Sequence, residues 1–313
     1  MKATGSSQTR PPDLTARLIL RSNRANVTAR AIRLGWRIAA RLPVPVADVI
    51  ASLAGDILYA TWGGLRERMR ANFARVVGPD RAAMVARRSI RHYCRYVSEF
   101  LRFPSLTTDQ IDRDVDIVGV EKLRDAMAAG RGVIAVGFHI GNIDLGAATL
   151  ARFGYPVNVV VEPFEPLALD AIIQDQRRAK GLRLIPLAEA PREGLRSLRR
   201  GEVLALLIDR PTPEDGVKAR FFGGDIALPA GAALLSLRTG APIVPCCVFR
   251  AGQGRFRAEI ADAILPPSGE RRDRTDDVQR LTQSIVCALE TWVRRHPDQW
   301  YPFREMFLES SDL

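Results

Sequence analysis

The stretch that decides the fold is "GVIAVGFHIGNIDL", residues 132–145. It begins as a short apolar run rich in β-branched residues, which is typical of a strand buried on both faces. Gly141 and Asn142 interrupt the run, and the residues that follow have the apolar spacing of a helix. A buried strand that leads through a tight turn into a helix is the repeating unit of a parallel α/β sheet.

The same alternation continues towards the C-terminus. Further strand-like runs occupy residues 156–162, 182–187, 202–209 and 241–249, and helix-like stretches separate them. A late strand-like run, "GRFRAEIAD", precedes a final helix at about 274–296. We therefore predict an α/β fold with a mainly parallel, mixed sheet covered by helices.

The first third of the chain has a different pattern. Apolar residues recur there at intervals of three and four with arginines between them, which indicates amphipathic helices. The predicted organisation is a flexible basic tail at 1–30, amphipathic helices that dock on a membrane at 31–104, an α/β domain at 105–305 and a short tail at 306–313.

The excess of positive charge is concentrated in the same third of the chain. The formal net charge of the 313 residues is +11, and residues 1–100 hold 18 Lys and Arg against 6 Asp and Glu, a net charge of +12. Such a segment predicts a polyanionic partner, either an anionic membrane surface or nucleic acid, although a solvated basic helical face has the same composition.

Residues 44–64 are the best candidate for membrane contact. Asp48 and Asp56 lie within them, and each would cost about 2.5–3.5 kcal/mol near a bilayer centre, so an interfacial helix is favoured over a spanning one. The first thirty residues lack the long apolar region of a signal peptide. The four cysteines lack metal-ligand spacing and are expected to be reduced. We predict a peripheral protein on the cytoplasmic face of the membrane, with no metal and no cofactor.

His139 is one of only three histidines, and Asp144 follows it five residues later. If His139 ends the strand and Asp144 lies in the first helical turn, the carboxylate can turn back and orient the imidazole as a general base. The backbone N–H groups of Gly141 and Asn142, at a helix N-terminus, would then face a developing oxyanion. A structural histidine in a strand-to-helix turn fits the same spacing equally well.

Several motifs, in the same order along the chain, resemble the glycerolipid and lysophospholipid acyltransferases. Within that superfamily the resemblance is to the branch of bacterial lipid A biosynthesis acyltransferases and phosphatidylinositol mannoside acyltransferases. It covers about residues 31–305 and rests on "MRANFARVVG" (69–78), "GFHIGNIDL" (137–145), "LRSLRRGEVLALLIDRP" (195–211), "FFGGDIALPAGAALLSLRTGAPIVP" (221–245) and "RRHPDQWYPF" (294–303).

The resemblance implies transfer of a fatty acyl group from acyl-CoA or acyl-carrier protein to a hydroxyl of a membrane lipid or glycolipid. His139 would be the base and Asp144 its acidic partner. Arg177 would bind substrate, for which the fit of arginine to phosphate is a physical reason, and Glu214 would supply a further acidic group.

Three more positions are candidate substrate-binding residues. Asp209 and Arg210 follow the run "LALLID", at the edge where open α/β sheets bind their ligands. Phe222 is a candidate wall of an acyl pocket, although an aromatic residue at this position is at least as compatible with the core.

Two other functions compete with acyl transfer. A polyanion-binding or nucleic-acid-binding protein without catalysis would use the basic first hundred residues, but the chain has no helix-turn-helix, RNP motif or zinc knuckle, so no nucleic acid is expected. The sequence contains neither G-x-S-x-G nor HExxH, so an acyl-ester hydrolase would have to use water at the same His139 site.

Overall fold

The structure is a computed structural model that describes residues 34, 35, 37, 38, 40–163, 167–210, 212, 216–267 and 274–308. The predicted tail at 1–30 and the candidate residue Glu214 lie outside these ranges. Helices α1 (Val44–Thr61), α2 (Gly63–Val77) and α3 (Pro79–Arg102) lead into the sheet. The predicted N-terminal helical region is confirmed.

Small residues bring α1 and α3 into close contact. Ala47, Ala51 and Gly55 recur every four residues and form the buried face of α1. A Cβ atom at Gly55 would lie only 2.7 Å from the Cα atom of Arg91 on α3. A larger side chain at this position would therefore force the two helices apart.

The opposite face of α1 is apolar and exposed. Val49, Ile50, Leu53 and Ile57 are each between 51% and 63% exposed. Of the helices in the described ranges, α1 alone is long and apolar enough to cross a membrane, with 18 residues and a mean hydropathy of 1.4. Core helices of soluble proteins and signal sequences can have the same length and hydropathy. Helix α1 is thus anchored by one face and leaves a broad apolar surface on the other.

The rest of the described chain forms nine strands and the helices between them. The bounds are α4 Thr108–Asp114, β1 Val115–Val118, α5 Val120–Ala128, β2 Val133–Gly137, α6 Ile143–Ala151, β3 Val157–Val161, α7 Leu167–Ala179, β4 Leu182–Pro186, α8 Ala190–Arg199, β5 Val203–Leu207, β6 Val217–Phe221, β7 Gly224–Leu228, α9 Gly231–Thr239, β8 Ile243–Gly252, β9 Arg255–Ile260 and α10 Arg274–Arg295.

Seven strands form one sheet in the order β1-β9-β8-β2-β5-β3-β4, and every neighbouring pair except β8 and β9 is parallel. The predicted mainly parallel, mixed sheet is confirmed. Strands β6 and β7 form a separate antiparallel hairpin. The sequence does not predict this hairpin or β1, since these runs are short and interrupted by charged residues.

Strand β2 lies in the middle of the sheet and is buried along its whole length. Ile134 and Val136 pack into the core on one face of the sheet, and Val133 and Ala135 pack into the core on the other. Alternate side chains of a strand point to opposite faces, so burial of both faces requires the continuous apolar run seen in the sequence.

Two motifs from opposite ends of the sequence meet in the fold. The Asn72 side chain on α2 donates to the backbone oxygens of Pro302 and Arg304, and accepts from the Met306 N–H at 3.0 Å. Residues 306–308, predicted to belong to a tail, instead continue along β7, where the Leu308 N–H donates to Asp225 O at 2.9 Å. The C-terminal segment is therefore held against both the helices and the hairpin.

Candidate active site

His139 lies where the chain leaves β2, as predicted. The Gly137 carbonyl still accepts the N–H of Ile208 next to β5, at 3.1 Å, and the chain then turns sharply, with the Ile140 N–H bonded to Phe138 O at 2.7 Å. On the other side the His139 carbonyl accepts the Tyr301 N–H at 2.9 Å. The imidazole thus stands at the carboxyl edge of the sheet, with its backbone fixed from two sides.

The acidic partner of His139 is Asp209. His139 Nδ1 lies 2.6 Å from Asp209 Oδ1, and the His139 N–H donates to Oδ2 at 2.8 Å. The indole N–H of Trp300 also donates to Oδ2, at 3.0 Å. The predicted pairing of His139 with Asp144 is therefore wrong, because β5 is the neighbour of β2 and brings its own terminal carboxylate to the imidazole.

This arrangement determines which nitrogen of His139 is available for chemistry. The Asp209 side chain is only 1% exposed, and an ionised carboxylate accepts hydrogen bonds but cannot donate them. Opposite an ionised Asp209, Nδ1 is therefore the donor of this bond, and the tautomer with its proton on Nδ1 has its lone pair on Nε2. The His139 side chain remains 25% exposed, so the ring can be reached from outside the protein. Geometrically, the pair is an imidazole oriented by a buried carboxylate.

Asp144 instead belongs to a buried ion pair. Arg177 Nε donates to Asp144 Oδ1 at 2.7 Å, and the Tyr96 hydroxyl donates to Oδ2 at 2.5 Å. Burial and the neighbouring Asp144 charge raise the pKa of Tyr96 well above its ordinary value. Arg177 Nη1 is bonded to Gln174, so the guanidinium faces protein on each side. The bonds of Arg177 hold α7 against α6, and the Tyr96 bond to Asp144 adds α3, so the geometry gives no support to the predicted phosphate-binding role of Arg177.

Gly141 and Asn142 do not offer free N–H groups. The Gly141 N–H donates to Gln299 O at 2.8 Å, and the Asn142 N–H donates to Val248 O at 2.9 Å. The predicted oxyanion site at these two amides is therefore wrong. Gly141 has φ +64°, and a Cβ atom there would lie 1.9 Å from Val248 O, so the close approach of β8 requires glycine.

The Asn142 side chain caps α6 and extends the polar network. Its Oδ1 accepts the Leu145 N–H at 3.0 Å, and its Nδ2 donates to Glu99 Oε2 at 2.8 Å. Glu99 in turn pairs with Arg250, at 2.5 Å from Arg250 Nε to Glu99 Oε1. The asparagine is a helix cap tied to α3 and β8.

Arg210 lies at the predicted edge, directly after Asp209, and pairs with Glu162, the residue that follows β3. Both side chains are about one-third exposed. Burial and the nearby charge of Arg304 lower the pKa of Arg210. The ends of β2, β3 and β5 thus place His139, Glu162 and Arg210 on one edge of the sheet.

Phe222 occupies the turn of the β6–β7 hairpin, with φ +47°. Its N–H donates to Glu290 at 3.0 Å, and the Arg294 guanidinium lies 4.8 Å from its ring centroid. These contacts hold Phe222 against α10. The fully buried Phe221 is the residue of this pair that packs against the rings of Phe138 and Trp300, which adjoin the site.

Sequence reasoning assigned no role to Trp300 and no contact between Asp209 and His139. Trp300 belongs to the motif "RRHPDQWYPF" (294–303), and this motif is the sequence feature that could have indicated its place at the site. Within the described ranges, no three His, Cys, Asp or Glu side chains are grouped closely enough to hold a metal ion.

Comparisons with known proteins match nearly the whole chain. Residues 21–309 match the family model of the bacterial lipid A biosynthesis acyltransferases. The chain is 26% identical over 289 residues to the phosphatidylinositol mannoside acyltransferase of Mycolicibacterium smegmatis, which covers 90% of this chain and 92% of that protein. It is 29% identical over 287 residues to the phosphatidylinositol mannoside acyltransferase of Mycobacterium tuberculosis, with coverage of 89% and 88%. The chain therefore belongs to the bacterial lipid A biosynthesis acyltransferase family and is an acyltransferase.

Proposed function

We propose that this enzyme transfers a fatty acyl group from acyl-CoA or acyl-carrier protein to a hydroxyl of a membrane glycolipid, with His139 as the general base. The observation that carries the proposal is the pair of His139 and Asp209 at the carboxyl edge of the sheet, where Nδ1 is bonded to Asp209 and Nε2 has no hydrogen-bond partner among the described residues. The alternative of a polyanion-binding protein without catalysis does not agree with membership of an acyltransferase family.

In the proposed reaction the acceptor hydroxyl donates a hydrogen bond to His139 Nε2. Nε2 takes the proton while the hydroxyl oxygen bonds to the thioester carbonyl carbon, which gives a tetrahedral oxyanion. Collapse of that intermediate breaks the C–S bond, and the imidazolium returns its proton to the departing thiolate. Asp209 stabilises the imidazolium in between, and base catalysis of this kind contributes on the order of 10²–10⁴ in rate.

We propose a glycosylated lipid as the acceptor. The mycobacterial relatives are named for acylation of phosphatidylinositol mannoside. Glu162 and Arg210 are partly exposed on the same edge as His139, and together they supply an acceptor and several donors for sugar hydroxyls. Because these two side chains bond to each other in the free enzyme, binding of a sugar would exchange that bond for bonds to the substrate.

We further propose that α1 docks the enzyme on an anionic membrane, at its cytoplasmic face, where both acyl donors are available. One face of α1 is apolar and exposed while the other packs on α3, as in a helix that lies in the interface plane. Asp56 is paired with Arg87 and Arg91 of α3. The basic N-terminal third adds about 1 kcal/mol of attraction for each basic residue near an anionic surface.

The test is a transfer assay with purified enzyme, a labelled acyl donor and a total lipid extract, with the labelled product identified by mass. We expect a labelled glycolipid from the native chain and almost none from His139→Ala. His296→Ala is the matched control, since that ring is stacked on Phe249 at 4.0 Å and has no place in the proposed reaction. Release of free fatty acid without any labelled lipid would instead indicate a hydrolase.

A further inference from the structure

A large cavity lies beside the active site, between α1, α3 and the ends of β8 and β9. Its volume is about 1010 Å³, at the upper end of the range of small-molecule sites. Apolar side chains from several elements line it, among them Leu106, Ile111, Leu145 and Phe256. The size and the lining suit a ligand with a long apolar part.

A polar network lines part of this cavity. Asn142, Glu99 and Arg250 line the cavity, and they bond to one another through Asn142 Nδ2 to Glu99 and Arg250 Nε to Glu99. His139 does not line the cavity. Because the His139 imidazole is bonded to Asp209 at the end of β5 and is not part of the lining, the cavity is a site distinct from the proposed chemistry.

The cavity also contains cationic groups without a carboxylate partner in the described ranges. Arg95 Nε donates to the neutral hydroxyl of Ser52 at 3.1 Å. Arg102 donates to the backbone oxygen of Leu42, and its Nε is buried with no hydrogen-bond partner among the described residues. A buried donor without a partner is costly, so these guanidinium groups fit an anionic ligand. Asp48 is the one acidic side chain of the lining that forms no ion pair there.

The cavity is continuous with the exposed face of α1. Val49 and Leu53 line the cavity and also belong to the apolar surface of that helix. A lipid chain at the proposed membrane surface can therefore enter beside α1 without crossing polar protein, while its headgroup stays near the arginines.

We propose that this cavity binds one anionic glycerophospholipid from the membrane, at a site separate from the His139 site. One acyl chain of the lipid occupies the apolar space, and its phosphate contacts Arg95 and Arg102. The inference rests on the proposed membrane docking of α1 but not on the identity of the acyl acceptor. In this proposal the membrane phospholipid is a bound ligand of the enzyme as well as part of the surface on which the enzyme docks.

The test uses the full chain on phosphatidylcholine vesicles that contain phosphatidylglycerol with a photoreactive group in one acyl chain. Labelling per vesicle-bound protein is mapped by mass spectrometry. We expect labels in residues 44–56 and 106–115, and about five-fold less labelling for Arg95→Ala or Arg102→Ala, from the loss of one cation near the phosphate. Arg88→Ala, exposed on the same helix and outside the lining, should label like the native chain, as should His139→Ala.

Leu53→Trp provides a second variant, since it narrows the cavity at an exposed position and should lower labelling without unfolding α1. Three results would overturn the proposal: labels confined to the outward face of α1 around Ile57, equal labelling by a neutral photoreactive phosphatidylcholine, or displacement of the probe by a non-hydrolysable thioether analogue of the acyl donor. Loss of transfer activity in His139→Ala with unchanged labelling would separate this inference from the proposed reaction.

Discussion

Replacement of Asp209 by asparagine tests how the site works. In the native site Asp209 Oδ2 accepts hydrogen bonds from the backbone N–H of His139 and the indole N–H of Trp300. Asp209 Oδ1 is bonded to His139 Nδ1. The asparagine oxygen can keep the two N–H bonds only if the amide nitrogen faces Nδ1. Nδ1 must then accept, and the ring proton moves to Nε2. The substitution preserves the shape of the site while it removes the free lone pair of the base.

The expected loss of rate is large. Removal of the carboxylate from such a pair lowers the rate by roughly 10⁴-fold in the well-studied serine protease case, which corresponds to about 5 kcal/mol of transition-state stabilisation. Because every N–H group at the site keeps an acceptor, we expect the free energy of unfolding to change much less. The loss should therefore appear in acyl transfer and not in folding.

Asp144→Asn should behave in the opposite way. It removes the negative charge that pairs with the buried Arg177, and breaking a buried ion pair typically costs about 3–5 kcal/mol of stability. Any loss of transfer by this variant should follow its fraction unfolded.

The assay is acyl transfer at matched folded fraction, determined by circular dichroism and urea unfolding. Asp112→Asn is the matched control, because its ion pair with Arg152 lies at the surface and is worth little. Transfer by Asp209→Asn at near the native rate, or a greater loss of rate in folded Asp144→Asn, would refute the assignment of Asp209 as the orienting residue.

Three further predictions concern the rest of the fold. Ile57→Glu should weaken co-sedimentation with anionic vesicles, since Ile57 is 63% exposed on α1; unchanged binding would exclude this face as the docking surface. Gly141→Ala should lower the free energy of unfolding more than Gly130→Ala does. Both glycines have positive φ, but only the Cβ atom added at Gly141 would clash with backbone atoms. Equal losses measured by urea unfolding would contradict this clash. Hydrogen bonds from Arg200 lower the pKa of Glu202 from 4.5 to about 2. The extra stability of the native chain over Glu202→Gln should therefore be present above pH 4.5 and lost as pH falls towards 2, and a difference in melting temperature that does not vary with pH would disprove this.

Much of the fold follows from local pattern. The apolar runs and their glycine-ended helices predict the strands of the sheet, because burial on both faces demands a continuous apolar strand. Strands β1, β6 and β7 were not predicted, since four or five residues with charges among them carry too little periodicity. The position of His139 at a strand end follows from the same pattern.

What the sequence by itself determined is that His139, Asp209 and Arg210 stand at carboxyl ends of strands, because the ends of the apolar runs are visible in it. Only the tertiary structure decided which of them meet. Strands β2 and β5 are neighbours although about 70 residues separate His139 from Asp209, and strand order depends on long-range packing that no local pattern records. For the same reason the nearby Asp144 is turned away towards Arg177, and Trp300 reaches the site from the far end of the chain.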